Sequence, residues 1–324
     1  MSLYINRKAY NMNYINTLHE GDNISEVYFC KQKIVATSKN GKTYYSLVLQ
    51  DKTGTLDAKV WDLSNAIAHF EAMDFIKVDG QITVYNNSFQ MNVRRIQKAQ
   101  EGTYDESEYM PYTKYNVDEM YTELLGFVNS VKNEYLSKLL KSFFVEDESF
   151  AKRFKKHSAA KAVHHNFIGG LLQHTLAVTK MCDFLASSYE ILNRDLLITA
   201  AICHDIGKLH ELSKFPENDY TDEGNLLGHI VMGAMMVRDK ANEIEGFPPL
   251  LQSELEHCIL AHHGELEYGS PKKPELVEAV ALSFADNTDA KMESFRSEAE
   301  ASVTENGWIG YSKWFDSNIR KTTV

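Results

Sequence analysis

Between residues 24 and 98 apolar and polar positions alternate, and turn residues interrupt the alternation at short intervals. "VYFCKQKIVATS" leads to a turn at "KNGK", "TYYSLVLQD" leads to a turn at "KTG", and "TLDAKVWD" follows. Asn-Gly and Thr-Gly between β-rich runs predict hairpins. A period of two sets Tyr45, Leu47 and Leu49 on one face of a strand and Tyr44, Ser46 and Val48 on the other. "LSNAIAHF" reads as a short helix. Two more strands, "FIKVDGQITVYN" and "SFQMNVRRIQKA", join near Asn86-Asn87.

Three strands, a short helix and two strands match the five-stranded OB barrel, expected over residues 1–100. Residues 101–112, "EGTYDESEYMPY", contain no lysine or arginine, so 101–115 is expected to be a linker. From about 116 the period changes. Val117, Met120, Leu124, Leu125, Val128 and Val131 follow helical spacing, and helical patterns continue nearly to the end. The expected architecture is multidomain: a small all-β OB-fold barrel at the N-terminus, then an all-α domain over 116–324.

Composition narrows the function classes. Of 324 residues, 44% are hydrophobic and 24% charged, as in globular proteins with real cores. The apolar runs fall short of a membrane span, and "MSLYINRKAY" lacks a signal-peptide core. A cytoplasmic protein with no membrane partner is expected. Cys30, Cys182, Cys203 and Cys258 form no CxxC pair, which argues against a disulfide framework or a cysteine zinc site. Cys203 reads as a small buried helix residue, not a nucleophile. The net charge of −11 argues against a nonspecific nucleic-acid coat. It is uneven: residues 1–98 carry +3 and the remainder −14.

The candidate chemistry gathers around "CHDIGK", residues 203–208. Ten of 12 histidines lie between 157 and 263. His174, His204-Asp205, His229, His262-His263 and Asp286 each sit in or beside an apolar helix, where unpaired polar groups destabilise the fold. A shared metal ion is the natural partner. Imidazole and carboxylate without thiolate suit Mn²⁺, Fe²⁺, Co²⁺, Ni²⁺ or Zn²⁺. The donors are too many for one tetrahedral site and fit two ions. Asp205 bridges, His174, His204 and Asp286 complete one ion, and His229 with His262 the other; His263 is the alternative to His262. Two ions about 3.5–4 Å apart suit in-line attack on phosphorus. His204, Asp205 and Lys208 are the candidate catalytic residues. Lys208 lies on the same helix face as the doublet, placed to neutralise a phosphate oxygen or to end a helix in solvent.

At these residues the chain resembles the HD phosphohydrolase superfamily, marked by His204-Asp205 with a preceding histidine and a later aspartate. The OB domain, "HHNFIGGLLQHTLAV", "HDIGK", "GHIVMG", "AHHGELEYGSPKKPELVEA" and "ADNTDAKM" together are similar to the bacterial YhaM-type 3′-to-5′ exoribonucleases. The resemblance runs from about residue 20 to about 315, with no departure at a metal-ligand position. It implies an OB-fold plus HD-domain hydrolase, activated by Mn²⁺, that releases 5′-nucleotides from the 3′ end of single strands. RNA is the implied substrate, with single-stranded DNA open.

Nucleic-acid contacts are read from parity and charge. Tyr44, Lys59 and Trp61 share one barrel face, with Arg94 nearby, as stacking and basic groups or as plain barrel cover. "AKRFKKHSAAKAVHH" includes Lys155, Lys156 and Lys161 and has no acid over residues 151–165. It is a stripe to guide a phosphate backbone or a solvated helix face. His164 and His165, before Gly169-Gly170 at an expected helix start, read as contacts to the scissile nucleotide or phosphate, or as cap and loop-packing residues. Two rivals stand beside this reading: a phosphohydrolase of nucleotides or cyclic dinucleotides, and a single-strand-binding protein with a non-catalytic HD domain. The helices leave room for a homo-oligomer interface that the sequence does not locate.

Overall fold

The alternation over residues 23–98 folds into five strands: β1 (Asn23–Thr37), β2 (Thr43–Asp51), β3 (Gly54–Val60), β4 (Phe75–Tyr85) and β5 (Ser88–Lys98). The computed structural model describes residues 12–323 apart from 39, 64–65, 87, 111, 162–164, 216 and 303–305. The strands close into a barrel in the order β1-β2-β3-β5-β4, with β3 and β5 parallel and the other pairs antiparallel. Closure depends on the length of β1. Its first half pairs with β4 and its second half with β2, and a bulge between Cys30 and Gln32 turns it from one neighbour to the other. Leu47, Leu49, Ala58, Val60, Ile76, Val78, Ile82, Met91 and Ile96 fill the interior. Gly80 stands at a second bulge, where a Cβ would come 2.7 Å from the Asn92 carbonyl oxygen. The turn into β3 is held by Asp51, whose Oδ1 accepts from Thr53 N and Gly54 N.

One segment differs from expectation. The described part of 63–70 contains no helix; it makes one bridge, Ile67 to Ile96, and buries Phe70. Phe70 joins the apolar core of the barrel, and Ile67 packs against it. In the acidic stretch after β5, Tyr104 stacks on Phe75 at 4.2 Å, Tyr109 is buried, and Glu108 pairs with Lys52 at 2.6 Å. The chain divides into two compact units, Met1–Pro111 and Tyr112–Val324.

The second unit is helical: α1 (Val117–Ser130), α2 (Glu134–Phe144), α3 (Glu148–Lys156), α4 (Gly170–Ser188), α5 (Arg194–Cys203), α6 (Lys208–Glu211), α7 (Asp222–Glu243), α8 (Pro249–Leu260) and α9 (Val277–Ala301). Asn116, Asn133, Asp147, Asn193 and Thr221 cap α1, α2, α3, α5 and α7 by accepting from first-turn N–H groups. Helix α5 is buried from Leu196 to Cys203, which explains its uninterrupted apolar run. A short hairpin, β6 (Trp308–Ser312) with β7 (Ser317–Arg320), follows α9; the helical reading of the tail did not anticipate it. Among the described residues no helix is long and apolar enough to cross a membrane.

Candidate metal centre

Five helices and their ends bring the donors together. His174 lies one turn into α4, His204 and Asp205 end α5, and His229 is in α7. His262 and His263 follow α8, and Asp286 lies on α9. Two glycines make the approach possible. Gly207 lies against α7, where a Cβ would fall 2.0 Å from the His229 carbonyl oxygen. Gly228 breaks α7 at φ 72°, immediately before His229, in a conformation that favours glycine.

The donors form two groups that share Asp205. In the first, His174 Nε2 is 3.1 Å from Asp286 Oδ1, 3.2 Å from His204 Nε2 and 3.4 Å from Asp205 Oδ2. His204 Nε2 is also 3.4 Å from Asp205 Oδ2. In the second, Asp205 Oδ1 is 3.5 Å from His229 Nε2 and 3.8 Å from His262 Nε2, and His263 closes the group. These separations suit adjacent ligands around a cation with bonds of about 2.1 Å.

The outer nitrogens are already committed. Nδ1–H donates to the Ala201 carbonyl from His204, to the Ile259 carbonyl from His262 and to the Tyr268 carbonyl from His263. His229 Nδ1 bonds Glu211 Oε1 at 2.8 Å, and His174 Nδ1 bonds Asp289 Oδ2 at 2.7 Å. Each imidazole therefore turns Nε2 inward, as ligating histidines do in metal sites when the other ring nitrogen is held by a hydrogen bond. Buried Asp205 Oδ1, His229 Nε2 and His262 Nε2 find no hydrogen bond, a costly arrangement that a cation would relieve. The donor set fits divalent metal ions.

The protonation states of the metal-free donors follow from burial and from their neighbours. Burial, with His263 and His204 nearby, holds His262 well below its ordinary pKa, so its imidazole is neutral. Burial also lowers His263. Burial alone would raise Asp205, but Lys208 and His204 outweigh it and keep the carboxylate ionised. Burial would lower His174, yet its bonds to Asp286 and Asp289 push it up to about 10. Burial raises the Cys203 thiol to about 12, which removes it as a nucleophile.

Above the donors opens a cavity of about 540 Å³, lined by Lys161, Lys208 and Lys291 and by Tyr220, Tyr268 and Trp314. Lys208 Nζ lies 2.6 Å from Asp205 Oδ2 and is held protonated there against burial.

The structure thus gathers His174, His204, Asp205, Lys208, His229, His262, His263 and Asp286 in one place. The basic segment is divided. Lys161 reaches the cavity while paired to Asp219 at 2.5 Å; Lys155 pairs with Asp118 at 3.1 Å; and Lys155 and exposed Lys156 line a separate hollow. His165 is buried, and its Nε2 meets Asp289 Oδ2 at 2.9 Å, behind His174. His164 lies outside the described residues. On the barrel, Tyr44 and Trp61 pack at 4.6 Å, Lys59 donates to Ser46, Trp61 donates to Asn92, and Arg94 reaches Gln81. These residues form one connected outer face. Sequence reasoning missed Glu211 and Asp289. Asp289 had a signal, standing one helical turn after Asp286 on the same face.

Comparison with known proteins agrees. A family model for the HD domain matches residues 171–291, and one for an OB-fold nucleic acid binding domain matches residues 31–99. The 3′-5′ exoribonuclease YhaM of Bacillus velezensis is 33% identical over 285 residues, 85% of this chain and 87% of that protein. The same enzyme of Geobacillus sp. is 34% identical over 276 residues, covering 84% of this chain and 83% of its own. That of Bacillus subtilis is 33% identical over 285 residues, with coverage of 85% and 87%. With both domains matched in order and the likeness spanning most of each protein, the chain belongs to the YhaM family of 3′-5′ exoribonucleases.

Proposed function

We propose that this protein hydrolyses phosphodiester bonds from the 3′ end of single-stranded RNA, releasing 5′-nucleotides, with Mn²⁺ as its working ion. The observation that carries the reading is Asp205, shared by two donor groups at the floor of a cavity walled by lysines. When bound, two divalent ions supply Lewis acidity and water activation for in-line displacement at phosphorus. The residues that would hold them are His174, His204 and Asp286 on one side of Asp205 and His229, His262 and His263 on the other. Lys161 and Lys291 offset phosphate charge at the wall. Lys208 steadies the Asp205 carboxylate and offers its remaining protons to the cavity.

The names of the relatives support RNA as substrate and the 3′-to-5′ direction. The barrel face of Tyr44, Lys59, Trp61 and Arg94 supports a polymer over a free nucleotide, since stacking platforms beside cations suit single strands. A cytoplasmic location goes with such a substrate.

The test is a 5′-labelled single strand of about 20 nucleotides, longer than one OB site, incubated with the protein and Mn²⁺. A ladder shortening from the 3′ end is expected, absent with chelator and in Asp205→Ala. An intact strand with folded, metal-loaded protein would overturn the proposal. Turnover of nucleotides or cyclic dinucleotides in its place would identify the small-molecule phosphohydrolase.

A further inference from the structure

The tail after α9 was silent in the sequence, yet it returns to the cavity. Its hairpin is anchored on the helix that carries Asp286. Buried Ser312 donates to Glu298 Oε1 at 2.8 Å, Lys321 Nζ donates to the Ser302 carbonyl at 3.0 Å, and Ile319 is buried. Phe315, in the turn between β6 and β7, packs edge-on against Phe295 of α9 at 5.6 Å. The turn is therefore fixed to the same rigid element as a metal-donor residue.

The wall of the cavity runs along that element. Asp286, Ala290 and Ser294 line it at successive turns of α9, and Trp314 and Phe315 of the hairpin turn continue it. The eight helical steps from Asp286 to Ser294 span roughly 12 Å. Phe315 is held in packing, whereas Trp314 is 62% exposed while lining the cavity. Tyr268, 67% exposed, lines the same cavity. An exposed indole beside a phosphate-scale array of lysines, fixed by a hairpin that buries little else, is placed to take a flat ring.

Resting on the exonuclease reading, we propose that the hairpin is a lip of the catalytic cavity and that Trp314 stacks on a base flanking the cleaved bond. Stacking is indifferent to base identity, because every base offers a π face. The lip therefore grips any sequence and positions the end of the strand over the donors. Trp314 is a positioning residue and touches no reacting atom.

The experiment measures kcat and KM of the full-length protein with Mn²⁺ on two RNA strands. One is natural; the other carries an abasic ribose analogue at its last two positions. On the natural strand Trp314→Ala is expected to raise KM roughly ten- to a hundredfold, the range that base stacking supplies, with kcat changed less than about threefold. Trp314→Phe, which keeps a flat face, restores most of the loss. On the abasic strand wild type and Trp314→Ala have the same KM. An unchanged KM on the natural strand would overturn the lip, as would an equal loss on both strands. A wild-type protein that shortens neither strand would overturn the exonuclease reading itself, and the lip with it.

Discussion

At Asp205 both carboxylate oxygens face donors, Oδ2 toward His174, His204 and Lys208 and Oδ1 toward His229 and His262. Asp205→Asn keeps the shape and removes the charge. Losing several kcal/mol of metal-assisted stabilisation should lower turnover about 10³-fold or more, together with the Mn²⁺ content. Full activity in that variant would show that the shared carboxylate is dispensable. Glu211 and Asp289 act one bond further out, by orienting His229 and His174. Glu211→Gln and Asp289→Asn should each raise the Mn²⁺ concentration for half-maximal activity about 10–100-fold, with recovery in excess metal. An unaltered titration would reduce both to packing roles. His174 makes a pH prediction. Its folded pKa is raised from 6.5 to about 10, so in the metal-free chain it adds stability that is complete below 6.5 and lost as pH rises toward 10. A metal ion must displace that proton. Loading near pH 8 should release it, read as a binding heat that varies with the buffer's ionisation enthalpy, and affinity should fall as pH falls. Heat independent of buffer would contradict this protonation state.

At the scale of elements, the site depends on where helices end. Helix α5 stops at the doublet, Gly207 lets the next turn lie against α7, and Gly228 breaks α7 to aim His229 inward. Gly207→Ala forces α6 and α7 apart. It should destabilise the fold by about 1–3 kcal/mol, seen as a lower melting temperature in metal-free protein, and weaken metal binding as well. A melting temperature equal to wild type would mean that the two backbones can separate freely. The candidate donors that the structure gathers were conspicuous in the sequence because polar residues interrupt apolar helices there. The carboxylates behind them were not, since Glu211 and Asp289 look like ordinary surface acids until their histidines are placed. The barrel strands were legible from period-two alternation and Gly turns. The expected helix at 63–70 is absent among the described residues there, where Ile67 bridges to Ile96 and Phe70 is buried. The hairpin was missed because its strands bury only Ser312 and Ile319, too few positions to make a pattern.

Over the whole chain, two units carry two kinds of chemistry, a barrel with an aromatic and basic outer face and a helical unit with the donor cluster. Trp61→Ala should weaken binding of single-stranded RNA by about 1–3 kcal/mol in chelator-treated protein, measured by fluorescence anisotropy, and leave metal loading intact. Unchanged affinity would assign the Tyr44–Trp61 pair to covering the barrel. The dinuclear centre is the claim on which the rest depends. Its most direct test is to count metal ions per chain by elemental analysis after equilibration with Mn²⁺ and removal of the excess. Two ions per chain, with activity rising in step with occupancy of the second, is the expected result; a single ion supporting full activity would contradict the account.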